Sequence, residues 1–303
     1  MTVVRAIGRH WSRFWFSPVP AASLGWMRVS LGLMLCTSWC LLWPELSDLL
    51  SIVDHRVLER HHTSWAVTYW TWLTPGPWLW VFHGLGLAVL VAFTVGFRTR
   101  WMNVLVVVLL VSFWHRLPWV QNGGDRLLRL WAIYLCLVPS GAAVSVDAWL
   151  AKRRGAAPIE AVPGFAHRCI QLQLAWVYVA TGWDKLVGGR AWLDGHAVYY
   201  SMSEGSFSRA PWLLDPLLQS DVGLALTMGL TWLTLVWELA FPGLVLWRRS
   251  RLWALGVGVC LHVGIFFTMS VGMFGPASVW AYQAFLADRW PRTPVQDSSD
   301  AAA

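Results

Sequence analysis

A lysine at the end of an apolar helix is the residue in this sequence best placed to do chemistry. It lies in the stretch 171–200, QLQLAWVYVATGWDKLVGGRAWLDGHAVYY. An apolar run carries Lys185 to a break at Gly188-Gly189, and an aromatic, acidic segment follows. At 3.6 residues per turn, Gln171, Tyr178, Thr181 and Lys185 share one face, a polar stripe that leads to an amine. An ionisable residue on a membrane span is by default a functional-site hypothesis; the alternative is a lysine that snorkels to the interface. A lysine amine acts as a base only where it spends time neutral, which desolvation or a nearby cation promotes. Three further groups stand out. Glu238 lies inside an apolar run four residues before Pro242, which removes the N–H that Glu238's carbonyl would accept, so a kink or local opening is expected. His262 sits near the middle of another run, where a histidine hydrogen-bonded between helices is the bland alternative to a catalytic one. Asn122-Gly123-Gly124-Asp125 is a turn signal in which glycine supplies positive φ and Asp125 can cap the next helix. The cluster Asp54, His55, His61 and His62 lacks metal-ligand spacing and reads as a solvated loop.

These residues need a membrane scaffold to position them. The chain has 303 residues, 57% of them hydrophobic and 13% charged, with 25 tryptophans. A soluble domain carries about 25% charge. The net charge of +7 does not point to nucleic acid, because the basic residues form short clusters between apolar runs. Cys36, Cys40, Cys136, Cys169 and Cys260 all lie in or beside those runs and read as buried thiols without a disulfide framework. The pattern predicts an all-α polytopic membrane protein, a bundle of about eight transmembrane helices with an N-terminal interfacial amphipathic segment. Residues 1–23 form that basic, aromatic segment, with Arg5, Arg9 and Arg13 among Trp11, Phe14, Trp15 and Phe16. Spans are expected at 24–43, 77–97, 101–115, 127–144, 168–187, 222–246, 252–272 and 276–287, the last short. A linker is expected at 147–167, a long loop at 188–221 and a disordered tail at 288–303.

With the N-terminus in the cytoplasm, one face collects twice as many basic residues as the other, as the positive-inside rule requires. That orientation brings Lys185, the NGGD turn, the histidine-rich loop and the 188–221 loop to the extracytoplasmic side. Lys185, Tyr178, Trp192, Asp194 and Asp125 are then expected to line one cavity, with His262 at or near its floor. Arg28 and Glu238 are expected to pair, since a charge on a span seeks a partner and their depths differ by roughly 6 Å at about 1.5 Å per residue.

Taken together, QLQLAWVYVATGWDKLVGGRAWLDGHAVYY, WELAFPGLVLWRRSR, LHVGIFFTMSVGMF, NGGDRLLRL and RVSLGLMLC resemble the HTTM family, which shares its membrane domain with vitamin K-dependent γ-glutamyl carboxylase. The resemblance covers roughly 24–287. It implies a lysine base acting on a vitamin K-like quinol, with Lys185 of Trp183-Asp184-Lys185-Leu186 at the base's position and His262 at that of a later histidine. Asp125 occupies the neighbourhood of a histidine-containing active-site segment, so the catalytic candidates are Lys185, His262 and Asp125. Tyr178, Trp183, Trp192 and Asp194 are the candidate residues for a quinone or quinol entering from the lipid bilayer. Because only a short tail follows about residue 290, where the carboxylase has a large lumenal domain, and NGGD stands where it has a histidine-containing segment, the expectation is that the lysine carries over and the glutamate-carboxylating reaction does not. Two classes stay open. One is a carboxylase- or epoxidase-like membrane enzyme acting on a protein or peptide outside the cytoplasm. The other is a non-enzymatic membrane partner in peptide or protein maturation, or a lipid- or small-molecule-binding protein. The expected location is the cell membrane, multi-pass.

Overall fold

The structure, a computed structural model, describes residues 2–52, 76–117 and 120–289. Asp54, His55, His61 and His62, and the tail from residue 290, lie outside the described residues. Helix α1 (Thr2–Phe16) brings Arg5, Arg9 and Arg13 to one face at intervals of four, and Trp15 packs on Phe165. A short strand β1 (Pro18–Pro20) follows, then α2 (Ala21–Leu41) and α3 (Leu46–Ile52). Helix α4 (Pro77–Val95) opens on proline, whose missing N–H costs nothing at that position, and closes on Gly96 in the left-handed region at φ 73°. Helices α5 (Thr99–Arg116) and α6 (Gly123–Cys136) come next, the second begun by a capping box between Asn122 and Asp125. Then follow α7 (Val146–Arg153), β2 (Ala161–Pro163) and α8 (Phe165–Gly188), which carries Lys185. Three short helices, α9 (Arg190–Leu193), α10 (Ala197–Ser203) and α11 (Pro211–Leu218), lead to α12 (Asp221–Leu246) and α13 (Arg251–Thr268). Helix α14 (Phe274–Ala281) tightens into a 3₁₀ segment, Tyr282–Arg289.

The fold is all-α apart from the β1–β2 pair. Among the described residues α2, α4, α12 and α13 are long and apolar enough to cross a membrane. Leu85, Val91, Leu233 and Val236 remain exposed on these helices, the outward apolar surface that a bilayer covers.

Helix ends sort into two sets. At one, Ala21 N–H donates to Glu160, Asp147 N–H donates to Gly96, and β1 pairs antiparallel with β2. At the other, Arg116 donates to the Leu50 carbonyl, Arg209 N–H donates to Thr268, and the 122–124 turn packs on 272–274.

Several expected boundaries move. The span expected over 127–144 ends as a helix at Cys136, and 137–145 becomes a turn whose carbonyls are spoken for by Arg28, as described below. The stretch 147–167 is no free linker: α7 occupies its start and β2 ties its end to β1. The run 252–272 stays helical only to Thr268, where Met269 bridges to Ser208. Helix α12 continues through Pro242 without interruption.

Candidate functional site

Helices α8 and α12 lie close together at Gly182. A Cβ there would lie 3.0 Å from Leu239 Cδ2 and 3.3 Å from Glu238 Cβ. The missing side chain lets the polar stripe of α8 meet Glu238 directly. Lys185 Nζ donates to Glu238 Oε1, and Thr181 Oγ1 lies 3.2 Å from Glu238 Oε2. The Lys185 side chain is 21% exposed and that of Glu238 10%, so the contact sits at the edge of the bundle. Trp192 of α9 closes over it with its ring centroid 4.6 Å from Nζ, a cation–π contact.

About two turns from Lys185 toward the other end, Tyr178 is fully buried and its hydroxyl is the centre of a second cluster. It lies 2.7 Å from His262 Nε2 and 2.9 Å from the Tyr282 hydroxyl. Trp237 and Phe241, which flank Glu238 in sequence, pack on the Tyr178 ring edge-on at 4.8 and 4.7 Å. Tyr282 reaches this point because α13 presents Gly258, where a Cβ would lie 2.2 Å from the Tyr282 hydroxyl oxygen. His262 Nδ1 is buried without a hydrogen-bond partner. The stripe read from the sequence is therefore engaged along its length: Gln171 donates to the Ala284 carbonyl at 2.7 Å, Tyr178 meets His262 and Tyr282, and Thr181 and Lys185 meet Glu238.

The structure overturns the Arg28–Glu238 pair. Arg28 is 0% exposed and gives its guanidinium to carbonyls, Nη1 to Ser140 at 2.7 Å and Nη2 to Val144 at 2.5 Å. The depth estimate failed because α8 and α12 do not begin level. Helices α10 and α9 fold back against the first half of α12, where Val198 N–H donates to Thr231 Oγ1 and Trp232 Nε1 to the Leu193 carbonyl. At about 1.5 Å per residue α12 outreaches α8 by roughly 20 Å, so Glu238, deep in α12, stands opposite the end of α8.

The other expected residues divide. Asp125 is buried, but its carboxylate accepts from Asn122 N–H at 3.0 Å and lines a separate small cavity between α2, α5 and α6. It does not join Lys185 around one cavity; the link to the cluster runs through Gly124, packed on Phe274, whose ring edge meets His262 at 5.6 Å. Asp194 and Trp183 are exposed, Trp183 being turned about 200° around the helix from Lys185. Tyr282 was missed because it falls in a short terminal segment without periodicity. Glu238 was noticed and given the wrong partner. The polar stripe on α8, which demands a facing polar residue, was the signal that could have found the right one.

An all-α bundle with four membrane-length helices among the described residues, an apolar core and an amine–carboxylate pair at its edge is the architecture of an integral membrane protein. The HTTM domain matches residues 16–290, nearly the whole chain, and the chain belongs to the HTTM family. No curated protein and no solved structure matches it.

Proposed function

We propose that this protein is a membrane enzyme of the carboxylase- and epoxidase-like kind, in which Lys185 acts as a base on a quinol-type lipid at the extracytoplasmic side. The observation that carries this reading is the Lys185–Glu238 contact at the edge of the bundle. A charged amine–carboxylate pair and its neutral counterpart differ by one proton moved along the contact, and surroundings of low polarity narrow the gap between them. Glu238 is thus a resident acceptor for the lysine's proton, and the neutral amine can take a proton from a bound hydroxyl. Trp192 lies on the amine, so that position accepts a flat π face, and the exposed Trp183 faces outward where a lipid-soluble ring would arrive. A hydroquinone held there would supply an acidic hydroxyl and two electrons. Tyr178, with His262 and Tyr282, forms a cluster of hydroxyl and imidazole groups about two turns below the amine. Asp125 holds the NGGD turn against Phe274 and thereby positions His262.

The topology that goes with this reading is eight crossings of the cell membrane with the N-terminus in the cytoplasm. It is supported by the two sets of helix ends and by the basic residues gathered at one of them. A cysteine placed at Ser206 should react with an impermeant reagent in intact cells; labelling only after lysis overturns the orientation.

A second reading, a non-enzymatic membrane partner in peptide or protein maturation or a lipid-binding protein, is favoured by one observation. Lys185 and Glu238 satisfy each other, as a structural pair would. The purified wild type should retain a quinone extractable by organic solvent, and Lys185→Ala should lose it. A wild type that yields no quinone, or a variant that retains it equally, ends the enzymatic reading in favour of the second.

A further inference from the structure

A cavity of about 370 Å³ lies at the end of the molecule away from Lys185, where the first turn of α5 faces the 137–145 turn and the start of α7. Arg100, Asn103, Cys136, Ser140 and Asp147 supply its polar lining.

Its walls are fixed by hydrogen bonds. The Asp147 carboxylate accepts from Arg98 N–H at 2.8 Å and from Thr99 N–H and Oγ1 at 2.7 Å each, which ties α7 to the open end of α5. Gly141 lets the turn lie against Thr99, since a Cβ there would be 2.4 Å from Thr99 Oγ1. All three donors are neutral, so they orient the carboxylate without cancelling its charge. Arg28 attracts it from beyond the turn but is held by the turn's own carbonyls. Among the described residues no cation forms an ion pair with Asp147.

Asn103 adds a second, independent feature. It is 3% exposed and lines the cavity. The orientation of its amide follows from its partners: the Leu135 carbonyl can only accept, so at 3.0 Å it fixes Nδ2, which also donates to Ser140 Oγ at 3.0 Å. Asn103 Oδ1 is then a buried acceptor without a donor, which is costly to leave unmatched. Thr99 and Asn103 are one turn apart on the same face of α5, about 5–6 Å between Cβ atoms. The carboxylate resting on Thr99 and the amide oxygen of Asn103 thus border a gap that one ammonium bridges, with an N–H···O contact of about 2.8 Å to each side. Arg100 stands exposed beside them, with no hydrogen-bond or ion-pair partner among the described residues.

We propose that this cavity binds a primary ammonium group, its N–H bonds shared between the Asp147 carboxylate and Asn103 Oδ1. The ammonium comes either from the headgroup of phosphatidylethanolamine or from a free small amine. The surroundings favour the lipid. Arg100 supplies a cation for its phosphate, and the exposed Leu137 of the lining and Trp101 beside Arg100 supply apolar surface for its chains.

The test follows thermal unfolding of the full-length protein in detergent against three additives at constant ionic strength: short-chain phosphatidylethanolamine, the matching phosphatidylcholine, and ethanolamine. Phosphatidylcholine carries the same phosphate and the same positive charge but no N–H. Phosphatidylethanolamine should therefore stabilise the wild type saturably and phosphatidylcholine should not. Asp147→Asn should weaken the apparent affinity about tenfold or more, the scale of a lost charge-assisted bond, and Asn103→Leu should weaken it by removing the acceptor. Both residues also hold α5 in place, so Arg100→Gln, at an exposed residue, is measured alongside. It should fold as the wild type does and bind phosphatidylethanolamine about twofold to fivefold more weakly, the scale of an exposed ion pair, with ethanolamine unaffected. Phosphatidylethanolamine bound equally by Arg100→Gln removes the lipid as the source. Ethanolamine that saturates and competes with it then identifies a free amine, and without that competition neither source stands. The proposal is also overturned if neither amine gives a saturable shift, if phosphatidylcholine matches phosphatidylethanolamine, or if whichever of the Asp147 and Asn103 variants folds binds as the wild type does.

Discussion

Arg28 and Lys185 are both cations carried by apolar helices, and they are housed in opposite ways. Arg28 is sealed in the interior, its charge spread over the carbonyls of Ser140 and Val144 with Thr94 at 3.5 Å. Those carbonyls are available because the chain stops being helical there: α4 ends at Gly96, and 137–145 is a turn. Gly96 also leaves room for the guanidinium, since a Cβ at that position would lie 2.8 Å from Arg28 Cζ. A guanidinium is too weak an acid to give up its proton, so Arg28 is a fixed charge that pins three segments together. Lys185 faces a carboxylate, is partly open to its surroundings, and lies under an aromatic ring. Its partner can take a proton. A cation is held by neutral carbonyls at one end of the bundle and by a carboxylate at the other.

The largest effect is expected at Arg28. Arg28→Leu should cost about 3–5 kcal/mol by stranding buried carbonyls, and Arg28→Lys should recover little, because one ammonium cannot reproduce the fork. Folded yield and thermal unfolding in detergent measure both; a lysine variant as stable as wild type would show that Arg28 is merely a charge. At the other end, Glu238→Leu and Lys185→Met should each destabilise on the order of 1–3 kcal/mol, because each leaves a charge uncompensated at a partly exposed site. The double variant should be more stable than the worse single, and equal or poorer stability would mean the two are not coupled.

Gly258→Ala sharpens the comparison, because it strikes the cluster below Lys185 without touching a charge. Its methyl would meet the Tyr282 hydroxyl and Trp237, an overpacking cost of about 1–3 kcal/mol. Quinone retention should fall with it if the cluster supports the amine. Unchanged retention in a destabilised variant would confine the cluster to packing. The smallest effect is expected from Tyr282→Phe, which removes one hydrogen bond to Tyr178 at a net cost of about 1 kcal/mol. A loss as large as that of Glu238→Leu would mean that Tyr282 carries more than this bond.

Much of the architecture was legible because it depends on local properties. Apolar runs placed the long helices, and the NGGD signal marked the start of α6, where the N-cap is Asn122 and Asp125 completes the capping box from the third helical position. The stripe on α8 was legible because helical periodicity alone puts Gln171, Tyr178, Thr181 and Lys185 on one face. The turn at 137–145 was not, since its apolar residues read as more span and only the remote Arg28 gives its carbonyls a reason to leave the helix.

The sequence by itself determined the class of protein, the long apolar helices and the polar face that ends at Lys185, all consequences of hydrophobicity and of a period of 3.6 residues. Which residue stands across from that face was decided only by tertiary structure. The axial offset of α8 and α12 is set by α9 and α10 folding back against α12 and by the close approach at Gly182. No local pattern encodes an offset between two helices, and that offset alone put Glu238, and not some other level of α12, against the lysine.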